Sequence, residues 1–225
     1  MTTLQTMLTL LRQRTNMENN QFVTDAELTS YLNNSLCLLD GLLISKFNDY
    51  KITSVDLTTT TDTLALPAGF LKMRGLDVIV GDQTYTVQPF SFKQRNNKSR
   101  QANIGQPYSI EYRLQGTGIK LTPADTAPNY TYTLWYTPDY IPLVNTTDSL
   151  PAYMDSQAWY EYAIVDSAIK VLAKQDLDPS VFIQQAAELK DHILKLSAPN
   201  RNAGDPISIV DSRGYDRSGG YGWNW

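Results

Sequence analysis

Residues 130–138 read Tyr130-Thr131-Tyr132-Thr133-Leu134-Trp135-Tyr136-Thr137-Pro138. β-Branched and aromatic side chains fill the run, and Pro138, which cannot donate to a ladder, closes it, so this is the clearest strand in the chain. Weaker strand patterns precede it. Tyr108-Ser109-Ile110-Glu111-Tyr112 and Ile119-Lys120-Leu121 flank a turn containing Gly116 and Gly118. Leu76-Asp77-Val78-Ile79-Val80 and Thr84-Tyr85-Thr86-Val87 flank Gly81-Asp82-Gln83, the pattern of a hairpin. Thr58 to Thr61 is a β-branched run, and Leu64 and Leu66 alternate up to Pro67. Residues 50–144 are therefore expected to form an antiparallel β-module of five to seven short strands.

On both sides of this module the period changes from two to 3.6. Leu4, Met7, Leu8 and Leu11 predict a first short helix. Thr24-Asp25-Ala26-Glu27 has the spacing of a capping box, and Leu28, Tyr31, Leu32, Leu36, Leu39 and Leu43 carry a second helix to about Phe47. After Pro151, Trp159, Tyr162, Ala163, Ile169, Leu172 and Ala173 share one face, with Asp166 near its edge. Asp178-Pro179 starts a last helix, striped by Phe182, Ala186, Leu189, Ile193 and Leu196 and stopped by Pro199. The helices are expected near 3–14, 25–47, 154–175 and 179–197. A lone amphipathic helix cannot bury its stripe, so residues 1–49 and 145–197 are expected to share one bundle. The fold class is α+β: a helical bundle from both chain ends, an inserted antiparallel β-module, and an extended C-terminal arm over 198–225, which has five glycines and two prolines.

Function classes narrow by exclusion. A net charge of −4 argues against a general nucleic-acid binder, whose affinity depends on neutralising phosphates. Cys37 is the single cysteine, which leaves no intramolecular disulfide and no multi-cysteine zinc site; in its apolar run it is expected to be a small buried hydrophobe. No stretch approaches the ~20 apolar residues of a membrane span, and Met1 to Leu11 lacks the features of a signal peptide, so synthesis in the cytoplasm is the expectation. His192 is the only histidine and is expected to be a partly solvated helix residue rather than a general base. Gly116-Thr117-Gly118-Ile119-Lys120 lacks phosphate-loop spacing and reads as a hairpin turn. No catalytic, metal or cofactor site is expected.

Two segments point to binding. From Gln88 to Pro107 the chain carries Lys93, Arg95, Lys98 and Arg100, flanked by Phe90 and Phe92, with no Asp or Glu. Such a loop suits contact with DNA phosphates or an acidic partner, against the plainer reading of a solvated hairpin loop. The arm ends Gly220-Tyr221-Gly222-Trp223-Asn224-Trp225, and with Tyr215 these aromatics on a glycine-rich segment are candidate partner anchors, because Tyr and Trp dominate interface hot spots.

Several motifs, in this order, resemble phage head-to-tail adaptor (connector) proteins. They are Val23-Thr24-Asp25-Ala26-Glu27-Leu28 with Tyr31-Leu32-Asn33, and Leu64-Ala65-Leu66-Pro67-Ala68-Gly69-Phe70-Leu71-Lys72. Ile119-Lys120-Leu121-Thr122-Pro123 and Leu134-Trp135-Tyr136 follow, then Leu150-Pro151 before an aromatic helix, and the glycine-rich tail. The resemblance implies a structural virion protein without enzymatic chemistry. It implies a homo-oligomeric ring, usually of twelve copies, around passing double-stranded DNA, between the portal protein and a tail or nozzle protein. Two other classes stay open on the sequence: a carbohydrate- or receptor-binding virion protein, suggested by a β-module rich in Tyr and Thr, and an enzyme with an unfamiliar site.

Overall fold

The computed structural model describes residues 1–18, 22–46, 50–94, 110–124 and 130–196. Among the described residues four α-helices and eight strands follow one another as α1 (Leu4–Arg14), α2 (Asp25–Lys46), β1 (Thr53–Thr58), β2 (Thr63–Ala65), β3 (Phe70–Val80), β4 (Gln83–Thr86), β5 (Gln88–Pro89), β6 (Glu111–Gln115), β7 (Gly118–Thr122), β8 (Thr131–Pro138), α3 (Gln157–Lys174) and α4 (Ser180–Leu196). Helices stand at both ends with the strands between them, an α+β arrangement as expected. The arm beyond Leu196 lies outside the described residues.

The capping box at the head of α2 forms as its spacing predicts. The Thr24 hydroxyl accepts from the Glu27 amide at 3.3 Å while the Thr24 amide donates to the Glu27 carboxylate at 3.2 Å. At the head of α4 the Asp178 carboxylate accepts from the Ser180 amide and hydroxyl, both at 2.9 Å, with Pro179 between them. α3 begins three residues later than expected, because Pro151 and Met154 close a separate turn and Ser156 is still extended. α3 is also the central helix. It packs on α1, α2 and α4, so its buried arc includes Ile164, Val165, Ala168 and Val171, well beyond the expected stripe, whereas Ala173 is exposed.

The bundle core joins α1, α2 and α3 with Ile193 of α4 and with Tyr140, Leu143, Leu150 and Met154 from the connection after β8. One prediction fails here: Cys37 is exposed. Positions 36, 39 and 43 already fill the inward face of α2, and helical geometry turns 37 and 38 outward, so Leu38 is 54% exposed as well.

The strands form two four-stranded sheets, ordered β1-β8-β3-β4 and β2-β7-β6-β5. Among the described residues the strand pairs are antiparallel except the two-residue β5–β6 pair, which is parallel. Their facing sides share a core of Leu64, Ile119 and Leu121 from the second sheet and Leu76, Val78, Tyr132 and Leu134 from the first. Inward residues alternate along β8 until Leu134, after which Thr137 rather than Tyr136 is buried. In its pairing with β8, β3 carries one extra residue between Met73 and Gly75 and another between Phe70 and Lys72, the bulges that accompany this change of phase. The β-branched run after Thr58 is not strand. The Thr59 hydroxyl bonds the Thr63 carbonyl at 2.8 Å and accepts from the Thr61 amide, turning the chain into β2. Gly116-Thr117 is the turn of the β6–β7 hairpin, with Gly116 at φ 58°, which excludes the phosphate-loop reading.

Candidate interaction surfaces

Two connections join the bundle to the β-module, and a buried charge sits where they meet. Asp40 on α2 is 2% exposed. Its carboxylate accepts from the Lys51 ammonium at 3.3 Å and from the Tyr153 hydroxyl at 2.8 Å. Lys51, just ahead of β1, also donates to the Asp139 carbonyl at 3.0 Å, just after β8, and lies over the Tyr153 ring. Both connections are thus tied to one carboxylate of α2. Burial, with Asp40 beside it, holds the Tyr153 phenol well above its ordinary pKa, so it stays a donor. The Tyr140 phenol is raised for the same first reason, with Cys37 and Asp40 adding to it.

Two turns earlier on α2, Asn33 pins the second connection. Its side-chain carbonyl accepts from the Leu143 amide at 2.9 Å and the Tyr140 hydroxyl at 3.0 Å, and its amide donates to the Leu143 carbonyl at 2.8 Å. Asp148 then accepts from the Val144 and Asn145 amides, each at 2.8 Å, and those bonds hold its carboxyl below the usual range. This fixed connection displays Ile141 and Val144, 79% and 76% exposed. Beside it a groove of about 580 Å³ opens between α1 and α2, lined by Leu8, Ala26, Ser30, Asn34 and Val144 among others. A smaller hollow of about 320 Å³ lies against Tyr50, Tyr153 and Trp159, where the Tyr50 ring meets the other two at 5.4–5.8 Å, and reaches Leu196 at the end of α4.

A polar cluster inside the bundle was not legible as a stripe. The Lys170 ammonium donates to Asp166 at 2.8 Å and to the Ser35 hydroxyl at 2.7 Å, and Ser35 also bonds Asp166 at 2.7 Å. Buried Ser167 completes it at 3.0 Å from Ser35. Each of these side chains has a partner, so the cluster sets the α2–α3 register rather than offering a reactive group. The only sequence signal was Asp166 at the edge of an apolar face.

Of the residues singled out for binding, Lys93 is exposed in a single 3₁₀ turn, Phe92–Gln94. The Arg113 guanidinium sits 4.4 Å above the Phe92 ring, anchoring that turn to β6. Arg95, Lys98 and Arg100 lie outside the described residues, as do Tyr215, Tyr221, Trp223 and Trp225. His192 is exposed on α4. Among the described residues no group of three or more His, Cys, Asp or Glu could hold a metal ion, and no helix is long and apolar enough to cross a membrane.

The model of the family described as SU10 adaptor protein matches residues 2–207, nearly the whole chain. No curated protein matches.

Proposed function

Because this chain belongs to the SU10 adaptor protein family, a family of phage structural components, we propose that it works as a ring, of about twelve copies, between the portal and the tail or nozzle proteins, around the DNA channel. The family match over residues 2–207 is the observation that carries the reading. The junction at Asp40 supports it, since a spacer between two partners must hold its parts at a set angle. In this reading residues 1–49 with 145–197 are one working part and 50–144 another. The protein performs no chemistry; it joins head to tail in the virion, after assembly in the host cytoplasm, and DNA passes through it without sequence recognition. Sealing the filled head would complete DNA packaging.

Two contacts belong to this proposal. Tyr215, Tyr221, Trp223 and Trp225 anchor the arm on a neighbouring protein, with glycines letting the backbone follow an irregular surface. Lys93, Arg95, Lys98 and Arg100 approach the DNA channel or an acidic partner surface. Deleting residues 215–225 should leave thermal unfolding unchanged and abolish docking, measured by co-sedimentation with the portal and by particle assembly. Docking at native affinity would refute the arm's role. Replacing the four basic residues by Gln should weaken assembly in a salt-dependent way, and equal assembly at low and high salt would refute theirs.

A further inference from the structure

α4 is apolar over about half its circumference at 3.6 residues per turn. Phe182, Ala186, Leu189 and Ile193 lie against the bundle, yet Ile193 is the only one of its side chains that is fully buried. The same arc continues outward through Ile183, 52% exposed, then Ala187, also exposed, and half-buried Leu194. Its one charge is Lys190.

The groove on the opposite sequence half has the matching character. Leu8, Ala26, Ser30, Asn34 and Val144 line it, and Asp25 is the only charged residue on its wall. Asp25 is 71% exposed even though Arg12 reaches it at 2.6 Å. Beyond the groove the outer face of α2 continues through exposed Cys37, Leu38 and Gly41 without a charge. Asp40, the next ionic group along the helix, is buried. A solvated helix face ordinarily carries Lys and Glu; past Glu27 this one is built of neutral side chains, several of them small, that let another helix come close.

We propose that α4 of one copy seats its Ile183–Ala187–Leu194 edge in the α1–α2 groove of a second copy, with Lys190 meeting Asp25. In this contact each copy uses the α4 edge toward one neighbour and the groove toward the other, a heterologous, head-to-tail arrangement that repeats around an axis when its rotation closes. Spacing supports one register. Asp25 and Asn34 are nine residues apart, about 13 Å along α2, and Lys190 and Ile183 are seven apart, about 10 Å along α4. With Lys190 at Asp25, Ile183 falls between Ser30 and Asn34, where the exposed Val144 can close over it. The inference rests on the ring reading and names the surface that builds the ring.

The test uses two full-length chains, both Cys37→Ser, one carrying Asn34→Cys and the other Ile183→Cys, linked by a short bis-maleimide during assembly. All three positions are exposed, so folding is not at stake. Crosslinked dimers should appear in the mixture and not in either variant alone, and a chain carrying both cysteines should give a ladder up to the full ring. Dimers from a single variant, or closed rings with no crosslink, would overturn this contact and leave the ring standing. Absence of any closed ring, free or on assembled particles, would overturn both. Ile183→Arg should lower ring yield about tenfold with thermal unfolding unchanged; an unchanged yield would also overturn the contact.

Discussion

Asp40 and Gly118 show how much single positions carry. Asp40→Ala would leave the Lys51 ammonium, 14% exposed, without its carboxylate and the Tyr153 hydroxyl without its acceptor. Breaking a buried pair from one side costs about 3–5 kcal/mol, and urea denaturation should read a loss of that size. A loss under about 1 kcal/mol would mean that water reaches the junction and the pair behaves as an exposed one. Gly118 pairs with Ala65 of β2, and a Cβ there would stand 3.0 Å from the Thr63 methyl and 3.1 Å from the Leu64 carbonyl oxygen. The backbone oxygen is held in the sheet and cannot step aside. Gly118→Ala should therefore cost about 1–3 kcal/mol, whereas the same change at Gly41, which faces open space, should be neutral or slightly stabilising. Paired denaturation curves of the two variants check both statements.

Among the elements, the heads of α2 and α4 were legible because caps use contiguous residues. Thr24→Ala removes the acceptor for the Glu27 amide and should cost about 1 kcal/mol by chemical denaturation. Glu27 has a second task that no local pattern announces, an ion pair with Lys174 at the far end of α3. α3 itself was only half legible. Its buried arc widened because three other helices surround it, a matter of neighbours rather than of its own period. The Thr59–Asp62 turn misled for the opposite reason. Threonine suits strands, but its hydroxyl also bonds nearby backbone, and four threonines in a row offered both outcomes.

For the whole molecule, acid stability follows from where the carboxylates are placed. Asp155 accepts from the Thr2 amide at 3.0 Å, and the Thr2 bonds hold its carboxyl below the ordinary value. Asp148 is lowered by the Asn145 and Val144 amides, and Asp62 by Lys120. Lowered folded values mean that these groups contribute stability that is fully present above the unfolded carboxylate range, about pH 4, and lost as pH falls through the folded values. The urea midpoint should be steady from about pH 7 to 5 and fall below about pH 4. Asp155→Asn should flatten that acid limb, because the variant has no proton to take up there; an unaltered limb would show that the N-terminal tie does not contribute.

The order of elements, the α+β class, both helix caps, the hairpins and the family resemblance could all be read from the chain alone. They rest on short-range rules: side-chain period, capping chemistry and turn residues act within a few positions. It took the folded molecule to show that Cys37 faces outward, that Asp40 gathers Lys51 and Tyr153 from two connections, and that Ser35, Asp166 and Lys170 close one network. The groove beside Val144 belongs to the same group. Each of these depends on residues more than ten and in most cases more than a hundred positions apart, or on which face of a helix its neighbours leave uncovered. Local spacing holds no record of either.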